Sequence, residues 1–135
     1  MGNVRILVVD DSKPWRQGIC SLLKARPELG VVGEASDGLE AAQKAKRLKP
    51  DLILLDIGLP ILNGLEAAIR IRQIAPDAKI IFVTQNGDED FVRAALSIGA
   101  QGYVLKTDAG SELVPAVTGV LGGDHFVSSG IEAVQ

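Results

Sequence analysis

Asp10, Asp11, Asp56, Thr84 and Lys106 are the residues whose types could do chemistry together. Each alone has an ordinary explanation. An acid often opens a helix, where it complements the N-terminal dipole. Asp56 stands before a Pro-containing turn that favours aspartate, a threonine suits a strand, and a lysine suits a solvated surface. Together they read differently. Three carboxylates held close raise one another's pKa and lose hydration, so a cation must accompany them. An oxygen-only ligand set of high charge selects a hard ion, and Mg2+ is satisfied by a few carboxylates, a carbonyl, waters and a phosphoryl oxygen. A carboxylate nucleophile, a metal opposite it, a hydroxyl and an ammonium group are the parts that phosphoryl transfer to an aspartate requires, because that reaction depends mostly on positioning and charge neutralisation. The sole histidine, His125, lies in the tail, so no zinc set forms near these acids.

These residues act together only if the fold brings them to one place, and the order of elements does so. Short apolar runs alternate with segments of helical period. Val4 to Val9 reads as a first strand that ends at Asp10-Asp11, with Ser12 as a candidate N-cap and Pro14 in the first turn of a helix. Val31 to Ala35, Asp51 to Asp56, Lys79 to Thr84 and Gly102 to Leu105 read as four further strands. Between them run helices over Leu39 to Leu48, about Leu65 to Ile74, and around Phe91 to Ile98. A fifth helix runs from about Ser111, its expected cap, to Leu121, with Pro115 in its first turns. Five successive βα units imply a parallel sheet with helices on both faces, of the α/β class. Ligands of such sheets bind at the carboxyl ends of the strands, where all five candidate residues fall.

The remaining composition narrows the field. With 47% hydrophobic but only 4% aromatic residues, the core must be built from Val, Ile, Leu and Ala. A chain of 135 residues with net charge −3 fits one compact domain and disfavours direct nucleic-acid binding. Cys20 is a lone cysteine flanked by apolar residues, which suits packing and a reducing compartment. The start of the chain shows no secretion signal and the apolar runs are too short to cross a bilayer. A cytoplasmic location without membrane contact is expected.

The chain resembles the receiver domain of two-component response regulators. The likeness runs from about Val4 to Leu121 and rests on Asp10-Asp11, Asp56, Thr84 and Lys106 at strand ends. Leu54-Leu55-Asp56-Ile57-Gly58-Leu59-Pro60 with Asn63-Gly64, and Gly99 to Lys106, extend it. The resemblance implies a flavodoxin-like doubly wound (βα)5 fold with a five-stranded parallel sheet in the order 2-1-3-4-5. It implies that a sensor histidine kinase or small phosphodonor phosphorylates Asp56, and that the domain catalyses only its own phosphoryl transfer and hydrolysis. Asp10 or Asp11 would hold Mg2+ directly or through water, with Asp56 and the backbone carbonyl of Gly58 completing the protein ligands. Lys106 and Thr84 would engage phosphoryl oxygens, and Tyr103 would follow Thr84 as the switch aromatic. Gly58 and Asn86 occupy positions that tune the lifetime of the acyl phosphate. Thr107 stands where many receivers have proline, which leaves the Lys106-Thr107 peptide geometry open.

Residues 1–122 are expected to form the receiver and 123–135 a tail. The tail segment Gly122 to Gly130 resembles the joint to a helix-turn-helix output domain in the NarL/LuxR-type branch, and it also fits a frayed terminus. DNA would then be contacted only through an output domain absent from this chain, and phosphorylation could drive a homodimer. Other readings fit less well. A phosphatase with an aspartate nucleophile needs a second acid where Gly58 stands. A dinucleotide site would be repelled by Asp10-Asp11. The competing reading is an interaction module on the same fold that does not use phosphorylation.

Overall fold

The computed structural model describes residues 3–131. Six strands, β1 (Val4–Val9), β2 (Leu29–Ala35), β3 (Leu52–Leu55), β4 (Lys79–Thr84), β5 (Gly102–Leu105) and β6 (Phe126–Val127), form one sheet in the order β2-β1-β3-β4-β5-β6. Every adjacent pair is parallel. Five helices cover it: α1 (Lys13–Leu23), α2 (Gly38–Leu48), α3 (Gly64–Ile74), α4 (Glu89–Ile98) and α5 (Ala109–Leu121).

The alternation of side chains along the strands decides which helices pack where. Ile6, Val8, Leu52, Leu54, Ile81 and Val83 face α1 and α5, where they meet Ile19, Leu23, Leu113 and Val117. Leu7, Val9, Ile53, Leu55, Ile80 and Phe82 face the other way, onto Ala41, Ala45, Ala67, Ala68, Ile71 and Val92 of α2, α3 and α4. β3 is buried along its whole length, as a central parallel strand must be. The small alanines of α2 and α3 let those helices lie close to the sheet.

Two local devices hold the loops at the carboxyl edge. Asn63 caps α3 in a capping box with Glu66, each side chain accepting the other's backbone N–H at 2.9 and 3.2 Å. Gly64 follows because its backbone lies against the Asp56 carbonyl: a Cβ built there would fall 2.0 Å from that oxygen. The loop after β3 can thus fold back tightly over the strand end.

The sheet differs from the expected five strands. Phe126 and Val127 pair in parallel with Gly102 and Tyr103, adding a sixth strand beyond β5. Polar contacts hold it. Ser128 N donates to the Tyr103 carbonyl at 2.9 Å, and Ser128 Oγ accepts from Leu105 N at 3.0 Å and donates to Glu112 Oε1 at 2.7 Å. Ser129 Oγ donates to Glu112 Oε2 at 2.5 Å. The fifth helix also begins earlier than expected. A 3₁₀ turn over Lys106–Asp108 runs straight into Ala109, and the Ser111 hydroxyl donates to the Asp108 carbonyl instead of capping. Among the described residues no peptide bond is cis, so Lys106-Thr107 is trans.

Candidate functional site

Strand order alone assembles the site. β1 and β3 are neighbours, so Asp10 and Asp56, one residue past their ends, stand side by side. The backbone N–H of Asp56 donates to the Val9 carbonyl at 3.1 Å, which fixes that register. β4 and β5 then carry Thr84 and Lys106 to the same edge. All five sequence candidates meet there.

Four of them are buried polar groups. Asp10 is fully buried, and Asp56, Thr84 and Lys106 are between 3% and 7% exposed, while Asp11 is exposed. The Lys106 ammonium lies 2.7 Å from Asp10 Oδ2 and 3.2 Å from Asp56 Oδ2. Asp10 Oδ1 accepts the Ser12 N–H at 2.9 Å, but Oδ2 is buried without a hydrogen bond of good geometry and leans on the Lys106 charge.

These opposed forces show in the proton affinities. Burial pushes the Asp10 carboxyl up and Asp56 adds to the rise, against the pull of Lys106 and the Ser12 N–H. Burial pushes the Lys106 ammonium down, but Asp10 and Asp56 more than reverse this, and it stays charged. One ammonium thus serves a cluster with more negative charge than it can neutralise.

The donor chemistry fits a hard cation. Asp10, Asp11 and Asp56 can each place one carboxylate oxygen within 4.8 Å of the others. The under-bonded Asp10 Oδ2 is the observation that calls for a further positive partner. A pocket of about 680 Å³ opens over the cluster, with Asp11, Trp15, Asp56, Thr84, Asn86 and Lys106 in its wall. Gly58 also lines it, and its N–H lies 3.4 Å from Asp56 Oδ1.

Thr84 and Tyr103 are joined through Asn86. Thr84 Oγ1 accepts the Asn86 N–H at 3.4 Å, and the Tyr103 hydroxyl donates to the Asn86 carbonyl. Tyr103 is fully buried beside Phe82, at a ring separation of 6.2 Å, so its hydroxyl is not in water as a plain edge tyrosine's would be. Burial pushes its pKa well above the ordinary phenol value.

Sequence reasoning missed Trp15. Its ring lies beneath the Lys106 ammonium, 4.8 Å from Nζ to centroid. Trp15 lies in the first turn of the helix that leaves the carboxyl edge of β1, where ligands of such sheets bind, and that signal could have singled it out.

Comparison with known proteins gives the family. The family model for the response regulator receiver domain matches residues 6–118. The chain is 39% identical over 120 residues to the transcriptional regulatory protein LnrK of Bacillus subtilis (strain 168), a match that covers 89% of this chain and 54% of LnrK. It is 38% identical over 125 residues to the response regulator GacA of Pseudomonas viridiflava, covering 93% and 58%. The chain therefore spans about half the length of such relatives. A LuxR-family two-component response regulator from Aurantimonas sp. SI85-9A1 superposes with TM-score 0.91 at 36% identity, covering 96% of this chain and 92% of that one. The receiver domain of the putative response regulator NarL from Mycobacterium tuberculosis does so with TM-score 0.85 at 32% identity, covering 91% and 99%. By its matched length, its identities and its fold, the chain belongs to the response regulator receiver domains, in their NarL/LuxR-type branch.

Proposed function

We propose that Asp56 accepts a phosphoryl group from a sensor histidine kinase or a small phosphodonor, and that the modified site signals through Thr84 and Tyr103. The observation that carries this reading is the Asp56 carboxylate itself: it reaches the pocket at a strand end with the Lys106 ammonium 3.2 Å away. A carboxylate oxygen of Asp56 bonds to phosphorus as the bond from phosphorus to the donor's leaving group breaks. Lys106 then turns part of its charge to a phosphoryl oxygen, and Thr84 offers its hydroxyl to another. Asp10, Asp11, Asp56 and the Gly58 carbonyl are the groups that would hold Mg2+. That ion, when bound, neutralises charge on the phosphoryl oxygens. Gly58, with no side chain, and Asn86, with a carboxamide, set how freely water reaches the acyl phosphate.

The bonds around Asn86 supply a route outward. When Thr84 turns its hydroxyl to the phosphoryl group, the Asn86 N–H loses its acceptor, and the loop whose carbonyl holds Tyr103 is free to shift. The output is a helix-turn-helix DNA-binding domain beyond this chain, in a transcription regulator. Phosphorylation would act on it through the Tyr103 side of the sheet and through a homodimer. The location is cytoplasmic; among the described residues no helix is long and apolar enough to cross a membrane.

Incubation with Mg2+ and acetyl phosphate, followed by intact-mass measurement, tests the reading. One base-labile phosphoryl group should be gained, and Asp56→Ala should gain none. No gain in the wild-type chain, or an equal gain in Asp56→Ala, would favour an interaction module that works without phosphorylation.

A further inference from the structure

Lys106 has a third neighbour besides its two carboxylates. Its ammonium sits over the Trp15 ring at 4.8 Å from the centroid, inside the ~6 Å range where the ring's negative face attracts a cation. Trp15 is the third residue of α1, and its place is fixed by the same turn that fixes Asp10. Ser12 Oγ accepts the Trp15 N–H at 3.4 Å, and the Ser12 N–H is held by Asp10 Oδ1 at 2.9 Å. Asp10, Ser12 and Trp15 thus form one short stretch held by its own hydrogen bonds, and Lys106, directly after β5, is drawn to both its ends. The indole is half-buried, and it also lines the pocket over Asp56.

We propose that Trp15 is a positioning residue for phosphoryl transfer to Asp56: its ring face holds the Lys106 ammonium where a transferred phosphoryl oxygen will meet it. The inference rests on Asp56 being the acceptor. A lysine side chain is long and has much rotamer freedom to lose. Two carboxylates alone fix the ammonium by charge but leave its stem free to swing between them. A flat ring on the third side removes that freedom and keeps water from the ammonium on that face. A branched aliphatic side chain would fill similar space without attracting the cation, and this separates positioning from plain packing.

Trp15 is the sole tryptophan, so indole emission reports on the surroundings of this one residue. Three variants of the chain test the proposal: Trp15→Leu, Trp15→Phe and Lys106→Met. Phosphorylation rates with Mg2+ and acetyl phosphate are read by intact mass, and stability by urea unfolding. Trp15→Leu should slow phosphorylation by about threefold to tenfold, the range a cation–ring contact supplies. Trp15→Phe should recover most of that loss, because it keeps an aromatic face. Lys106→Met should change the Trp15 emission with neither metal nor donor present. A Trp15→Leu rate equal to wild type would overturn the inference, as would equal slowing in the Leu and Phe variants or an emission unaffected by Lys106→Met. A wild-type chain that never gains phosphoryl mass would instead overturn the reading of Asp56 itself, and the inference with it.

Discussion

Two polar clusters lie at the carboxyl end of β5, and they are built on opposite principles. Around Lys106, two buried carboxylates share one ammonium with a third, Asp11, close beside them, and a buried oxygen of Asp10 goes without a good hydrogen bond. Around Ser128, one carboxylate accepts from three donors, the Ser128 and Ser129 hydroxyls and the Ser129 N–H. Both oxygens of Glu112 are taken by serine hydroxyls, and Ser128 itself bonds to both strand β5 and helix α5. Proton affinities follow suit, raised at Asp10 by burial and lowered at Glu112 by the Ser129 and Ser128 hydroxyls. A satisfied network stabilises the structure it joins; an unsatisfied one persists where a ligand or reaction completes it. On the proposed function the first cluster is the site, while the second is a fastening.

The contrast makes the two clusters respond in opposite directions to loss of a polar group. Ser128→Ala should have the largest effect. It strips the Leu105 N–H of its acceptor and leaves Glu112 Oε1 only the longer bond from the Ser129 N–H, at a position only 1% exposed. The free energy of opening β6 should fall by about 2 kcal/mol, measured by hydrogen exchange at the Leu105 and Ser128 amides. Unchanged exchange would show that apolar contacts of Phe126 alone hold the strand.

Asp10→Asn should act the other way and stabilise the fold by roughly 1 kcal/mol at neutral pH, because it removes a buried charge that the site cannot fully compensate. The sign follows from linkage. The folded state holds the Asp10 proton more tightly than the unfolded value of 3.8, so ionised Asp10 costs stability above its folded pKa. That cost is relieved as the pH falls from the folded value towards 3.8, and the advantage of the asparagine should shrink over the same window. Urea unfolding at several pH values measures it, and a less stable Asp10→Asn at neutral pH would end the contrast.

The smallest effect concerns Glu112. Its carboxyl is held below its ordinary 4.5 in the folded state, so its contribution is present above 4.5 and lost as the pH falls through the folded value. The Ser129 amide should lose protection over that window by no more than about threefold, since the carboxylate is well solvated. Glu112→Gln should show no such pH dependence.

The first cluster was legible in the sequence and the second was not. Each of its members follows an apolar run, so the βα order alone carries Asp10, Asp56, Thr84 and Lys106 to one sheet edge. Glu112, Ser128 and Ser129 follow no such rule. Phe126–Val127 is too short to show a period, and its pairing depends on α5 ending where it lets the chain return beside β5. Ser111 misled for a related reason. A hydroxyl before an apolar run reads as a cap, but the 3₁₀ turn at Lys106–Asp108 had already begun the helix.

Local pattern determined the five βα units, the parallel sheet and the acids at its edge, because side-chain period and right-handed crossover leave few other arrangements. Tertiary structure decided what those residues touch. Only packing could place the Trp15 ring under Lys106, bury Tyr103 with its hydroxyl on the Asn86 carbonyl, and leave one oxygen of Asp10 short of a partner. Those contacts join residues distant in the chain, and their energies depend on burial and angle, which a sequence does not state.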